Sequence, residues 1–436
     1  MIDVFSPRRL LLASAALMAL SAGAARADQM SPGPWNGEAA RIAGSSALVK
    51  SSMAFIRAEV AKIHNPLIRR ETEDAVFNTE TCIKSRIGMT AEKKQQIVDK
   101  LIAAGLIDTG EAGRIPGGLI AGVFPGVRDE GTACPKLPMP YYASPGSVFG
   151  GHHSQPGGLP MHVAVNLKSA LALADTYRTV YGTLDASGAP AVASAGGQTP
   201  DADVMIDQDI VIAAPIWHDW AKAVIFQWNA DGSEFIEMNY GGNGKTDTWG
   251  APGDTKTSSH HIMGVAEVML RGMPAEYVIT HASAHGAPNA GNEHSVVNWI
   301  HAAAILAGVD PIERGYLMKD ATGRLRLAAV RKLGSINIQA SLPNQPNMLY
   351  EYVLHNLSDA DYTYTGTAAV QSGLLLRVVA PKFGYDAAQA ERFNTGFRNP
   401  VLAHTGAERL LMLYSNGGIA RVEAEVTRLK TAGAFK

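Results

Sequence analysis

The chain has 436 residues, 46% of them hydrophobic, and its 38 Lys and Arg nearly balance 40 Asp and Glu for a formal net charge of -2. That much apolar material can bury a large core and fill two or three domain-sized units. The near-neutral balance excludes binding to nucleic acid or anionic membrane through a bulk positive field, so any anionic substrate must be held by a local site.

The N-terminus carries Arg8-Arg9, an Ala- and Leu-rich run from Leu10 to about Ala25, and a small-residue close at Ala25-Arg26-Ala27. This reads as an export signal over residues 1–27, because the apolar run falls short of the ~20 residues needed to cross a bilayer. Ser6-Pro7-Arg8-Arg9-Leu10-Leu11-Leu12 is similar to a twin-arginine signal, a route that carries folded cargo and suits a protein metallated before export. Sec export is the competing route. Either predicts a periplasmic or secreted protein with no membrane anchor after processing. In that oxidising compartment the only two cysteines, Cys82 and Cys134, are expected to form one disulfide.

Residues 28–149 read as a helical and loop region. Apolar residues recur at helical spacing between Ala39 and Leu106, as in Ile56, Val60 and Ile63 and then Ile97, Leu101 and Leu106. From Gly110 to Gly158 the density of Gly and Pro predicts a long irregular connection. The stretch 150–310 is the expected core. A helix opening at Pro160 carries His162 near its start, with Val163, Leu167, Ala170 and Ala174 on one face. After a loop over Gly182–Pro200, the run Ile210-Val211-Ile212-Ala213-Ala214 leads into His218-Asp219 on an expected buried helix. Between Asn229 and Ser258 a polar, Gly-rich insertion includes Ser233–Met238, which alternates like a hairpin strand. Ser258 or Ser259 is placed to cap a helix from His260 to Arg271 that stops at Gly272, and Pro274 to open another ending at Gly286. A further helix runs from His294 to Leu306, with Gly308 as its stop. Residues 311–436 show no motif and read as a helical scaffold. The expected fold is mainly α, with a small β-hairpin-like insertion.

Histidine is scarce before position 150, where only His64 occurs, and is then grouped between His152 and His301. Imidazoles grouped on successive helices can converge on a divalent ion. A buried Asp219 on an apolar helix needs a cation or donors to offset desolvation, which points to His218-Asp219 as metal ligands. Lys222, one turn beyond, is placed to hold a substrate phosphoryl group or simply to sit solvated at a helix end. His281 and His285, four apart, are expected on one helical face, while His260 and His261 point apart, so that only one of them reaches an ion. His152 and His153 lie in a loop and read as exposed residues or substrate contacts.

His152-His153-Ser154-Gln155-Pro156-Gly157-Gly158-Leu159-Pro160-Met161-His162 resembles the HHxxxGGLxxH segment of the HD-domain phosphohydrolase superfamily, in the branch that includes certain bacterial 3′-to-5′ exoribonucleases. Ala213-Ala214-Pro215-Ile216-Trp217-His218-Asp219-Trp220-Ala221-Lys222 resembles its AAxxxHDxxK segment, and His261-Ile262-Met263-Gly264 and His281-Ala282-Ser283-Ala284-His285-Gly286 are similar to its later ligand segments. The resemblance covers about positions 150–310. It implies an HD helical core in which His162, His218, Asp219, His261 and His285 hold one or two divalent ions, from among Mn, Fe, Zn, Co and Mg. Asp219, Lys222 and His285 are then catalytic, and Lys222, His281 and His153 bind a small phosphorylated substrate or nucleotide. Metal-activated hydrolysis of a phosphomonoester or phosphodiester is the implied reaction. A di-iron oxygenase, known on the same core, and a non-catalytic metal-binding protein are the alternatives. The last aspartate of the family pattern is missing, because Ala303-Ala304 stands at its place; Asp310, His294, Asn298 and His301 are the candidates to replace it.

Overall fold

A computed structural model describes residues 29–182, 184, 186–188, 205–242, 255–288, 293–331 and 349–436. The export signal over 1–27 and most of the loop between Gly182 and Pro200 lie outside the described residues. The fold is mainly helical, with two small antiparallel two-stranded sheets. No helix among the described residues is long and apolar enough to cross a membrane.

The N-terminal layer comprises α1 (Asn36–Ser45), α2 (Ala47–Val60), α3 (Pro66–Phe77) and α4 (Ala91–Ala103). Their starts follow from local chemistry. Ser46 accepts from Val49 N, Asn65 from Leu67 N and Ile68 N with Pro66 opening the first turn, and Thr90 from Lys93 N. The Gly- and Pro-rich connection that follows contains one short helix, α5 (Gly118–Val123), and is tied back by the Cys82–Cys134 disulfide. Buried Arg271 braces the same corner: it pairs with Glu267, Asp74 and Glu71 and donates to Cys82 O.

The centre is built by α6 (Gly158–Tyr181), which packs against α2 and against α7 (Gln208–Trp217). Every residue of α7 from Ile210 to Trp217 is buried, and Asp207 caps its start. Beyond it come α8 (Ser259–Leu270), α9 (Ala275–Ala282) and α10 (Glu293–Ala307), with Gly272 and Gly308 in the left-handed region at the stops expected from sequence. Then α11 (Tyr350–Asp359) packs on α6, α7 and α9. The remaining helices, α12 (Tyr362–Val379), α13 (Asn399–Thr405) and α14 (Ala407–Thr431), enclose a second core around Leu376, Phe397, Leu410 and Val426.

Local expectations are corrected in several places. The helix expected to reach Gly286 stops at Ala282: Ser283 N still bonds to Ile279 O, but Ala284 N and Gly286 N bond to His281 O and Ser283 O in tighter turns. His281 and His285 therefore do not share a helical face. His218 is the C-cap of α7, which ends at Trp217, so Asp219 lies in the following turn rather than on the helix. The 233–238 segment makes only an isolated bridge between Trp228 and Glu234. The regular pairing falls just after it, between β1 (Asn239–Tyr240) and β2 (Thr257–Ser258). A hairpin of β3 (Leu317–Lys319) and β4 (Leu325–Leu327) follows α10.

Candidate metal centre

Three helix ends meet at one point. His162 sits in the first turns of α6, His218 is the C-cap of α7 with Asp219 just beyond, and Asp359 is the last residue of α11. His162 Nε2 is 3.2 Å from Asp219 Oδ2 and 3.1 Å from Asp359 Oδ1. His218 Nε2 is 3.2 Å and 3.3 Å from the same two oxygens. Donors that share one small divalent ion at about 2.1 Å stand roughly 3.0–3.4 Å apart, whether tetrahedral or octahedral. These four nitrogen–oxygen separations fall in that window.

Hydrogen-bond geometry suits a cluster that could hold a metal ion better than an ordinary set of ion pairs. His218 Nδ1 lies 2.9 Å from Pro215 O, so this nitrogen donates and Nε2 is the one offered to an ion. Yet buried Nε2 makes a geometrically sound hydrogen bond to neither nearby carboxylate. The ring therefore points between Asp219 and Asp359, where a shared ion would sit. The same holds for Asp219 Oδ1 and His260 Nε2, which are 3.1 Å apart, buried and without hydrogen bonds. Asp219, His260 and His285 form a second ligand group through atoms within 4.8 Å of one another. Asp219 thus turns Oδ2 to one group and Oδ1 to the other.

The supporting contacts fix these rings and carboxylates. Glu237 Oε1 accepts from His260 Nδ1 at 2.6 Å and from His260 N at 2.9 Å, which directs Nε2 to the site. Asn166 donates to Asp359 at 3.0 Å. Lys222 Nζ is committed to Asp219 Oδ2 and to Gly146 O. Burial alone would lower the pKa of His218, but the Asp219 and Asp359 charges raise it to about 10. Burial likewise works to raise the Asp219 carboxyl, and the His218 and Lys222 charges outweigh it and hold it well below the usual range. The site thus demands positive charge.

A cavity of about 490 Å³ opens onto this cluster, walled by His152, Lys256, His285 and Asn356 with Phe226 and Tyr362 as aromatic surfaces. Lys222 and His260 also reach the wall.

Several sequence expectations are revised by this geometry. His260, not His261, faces Asp219; His261 is fully buried with Nδ1 2.8 Å from Thr257 Oγ1, and it belongs to no ligand group. His281, expected at the substrate, is fully buried behind the site, stacked parallel to His261, and lines no part of the cavity. His153 is buried beside His152 and His162, and of the loop pair only His152 reaches the cavity. None of Asp310, His294 or His301 enters a ligand group among the described residues, and Asn298 is buried on α10. Asp310 instead accepts from Ile312 N and Glu313 N in an exposed turn. A further carboxylate, Asp359, joins the cluster from the region read as scaffold. Its sequence signal was His355-x-x-x-Asp359, two polar residues on the buried face of an amphipathic helix.

No family model, curated protein or solved structure matches this chain.

Proposed function

We propose that the protein is an exported, metal-dependent phosphohydrolase of the HD type. In this reading one ion is held by His162, His218, Asp219 and Asp359 and a second by Asp219, His260 and His285. The observation that carries it is the set of 3.1–3.3 Å separations around a point at which buried His218 Nε2 aims without a hydrogen-bond partner. The mixed imidazole and carboxylate donors suit Mn, Fe, Co or Zn, and such ions lower the pKa of bound water and polarise a phosphoryl oxygen. Export is supported by the signal-like residues 1–27 and by the Cys82–Cys134 disulfide.

The roles of the chain's own residues follow from their contacts. Lys222 orients Asp219 by holding Oδ2, and its second bond, to Gly146 O, fixes the turn leading into the His152 loop. Glu237 keeps the His260 Nδ1 proton and so the ring's direction. His152 and Lys256 face the cavity as donors for an anionic group, and Phe226 and Tyr362 offer flat surfaces to a base or aryl leaving group. A phosphomonoester or phosphodiester of nucleotide size fits this lining. With no basic field on the protein, long nucleic acids are not favoured.

The test is a panel of phosphomonoesters, phosphodiesters and nucleotides assayed with metal-loaded protein, alongside metal content and oxygen uptake. His218→Ala is expected to lose metal and at least ~1,000-fold in turnover. Iron-dependent oxygen consumption without phosphate release would replace this reading with the oxygenase. Full metal loading with no turnover would leave a binding protein.

A further inference from the structure

We propose that His152, His153 and His162 form an auxiliary cation site for a borderline divalent ion such as zinc, beside the centre described above and joined to it through His162, whose Nε2 faces the main centre and whose Nδ1 serves this one, the ring giving up its proton when both are filled. One ring nitrogen from each of the three lies within 4.8 Å of the others. His152 Nδ1 and His153 Nδ1 face each other at 3.5 Å. Two nitrogens bound to one tetrahedral zinc at about 2.1 Å stand about 3.4 Å apart, so this pair is already at the spacing an ion requires. The three rings stand 5.0, 5.6 and 5.7 Å apart, centre to centre. Neither His152 nor His153 belongs to a group containing Asp219 or Asp359.

The imidazoles have the chemistry of ligands. His153 and His162 are buried, His152 is half-buried, and imidazoles gathered in this way bind an ion in their neutral form. His162 Nδ1 is fully buried without a hydrogen-bond partner. Glu408 Oε1 stands behind one ring, 3.6 Å from His153 Nε2, and Asp361 Oδ1 lies beside the ligand nitrogen of another, 3.8 Å from His162 Nδ1. Such outer carboxylates orient ligating histidines and balance an ion's charge.

The loop is constructed to hold this arrangement. His153 adopts a left-handed backbone, φ 53°, which costs free energy in a non-glycine residue. Gly146 and Gly158 make room for it, since a Cβ on Gly146 would lie 2.8 Å from His153 Cβ and one on Gly158 would lie 1.7 Å from His153 O. Buried Arg398 donates to Ser154 O at 3.1 Å and Ser154 Oγ at 2.8 Å, and that hydroxyl accepts from Gly150 N at 3.1 Å. An ion here places positive charge behind His152 on the cavity wall, suited to an anionic substrate group.

The protein is stripped with chelator and titrated with zinc alone against a competing indicator, with bound zinc counted after desalting; cobalt(II) spectra report nitrogen-rich tetrahedral binding. Wild-type protein is expected to hold one zinc more than His152→Ala and His153→Asn, the asparagine tolerating the left-handed backbone. His218→Ala is expected to lose the main centre but to keep the auxiliary ion and its cobalt band. Unchanged stoichiometry and affinity in both His152→Ala and His153→Asn overturns the auxiliary site and leaves the main reading intact. Loss of all zinc in His218→Ala also overturns it, whereas a wild-type protein that binds no zinc overturns both.

Discussion

Replacing Asp359 by asparagine tests the assignment on which the metal centre depends. The carboxylate lies 3.1 Å from His162 Nε2 and 3.3 Å from His218 Nε2, and its side chain is only 9% exposed. Two unit charges about 3.2 Å apart interact by about 5 kcal/mol at an effective dielectric of ~20. Removing one partner of a buried charge pair costs roughly 3–5 kcal/mol by experience. Asp359→Asn should therefore weaken the first ion by roughly 10²–10⁴-fold, since 1.4 kcal/mol is about tenfold. The amide oxygen can still accept from Asn166 Nδ2, so the fold should hold. Affinity is measured by competition with a chromophoric chelator, and folding by circular dichroism. Asp310→Ala is the control, since its carboxylate only caps an exposed turn. If Asp359→Asn bound both ions as tightly as wild type, the assignment would fail, whatever Asp310→Ala did.

Glu237→Gln should weaken the second ion by roughly 10–100-fold and leave the first unchanged, because the lost carboxylate orients only His260; two-site calorimetric titration separates the ions. Converting Cys82 and Cys134 to serine should cost up to about 4 kcal/mol of stability, from the loop entropy of their 52-residue separation, read as a lower denaturant midpoint. The metal-free protein should be most stable near the ordinary histidine pKa of 6.5. Burial holds His153, His261 and His355 down to about 3, so the unfolded chain binds their protons first and stability falls as pH drops from 6.5 toward 3. His218 is raised to about 10 by its carboxylates against the effect of burial, so its contribution is complete below 6.5 and fades as pH rises toward 10. Urea midpoints across this range should trace a dome, and a flat acid limb would contradict the buried neutral imidazoles.

The helical core was readable because its signals are local. Gly272 and Gly308 mark helix stops by backbone freedom, and the apolar run before His218 is buried as its composition requires. His162, His218 and Asp219 were readable as candidates, since histidine grouping and a carboxylate next to an apolar run both need explaining. Choosing between His260 and His261 was not possible from sequence. Adjacent helical residues diverge by about 100°, and only the position of Glu237, brought in from before β1, decides which ring is steered to Asp219. Asp359 was hidden for another reason. It lies 49 residues beyond Asp310, past the β3–β4 hairpin, and chain separation carries no information once α11 packs on α6 and α7. The separation of His281 from His285 turned on the tight turns after Ser283, which end α9 early and carry no strong signal in the sequence.

Both carboxylates at the first ion stand at the wrong helix ends for an anion. Asp359 closes α11 and Asp219 follows the C-cap of α7, where the free carbonyls and the helix dipole disfavour negative charge. Burial adds a desolvation cost to each. An arrangement so unfavourable to two anions persists only if cations are fixed among them, and the metal-free protein has His218 for that task, protonated up to about pH 10, with Lys222 held on Asp219. A divalent ion at the same point would supply the charge with better geometry, because His218 Nε2 aims between the oxygens rather than along a hydrogen bond to either. Binding at neutral pH must then displace the His218 proton. The fold is thus arranged so that a proton keeps the place a metal ion can take, and the converging helix ends hold their positions in either state.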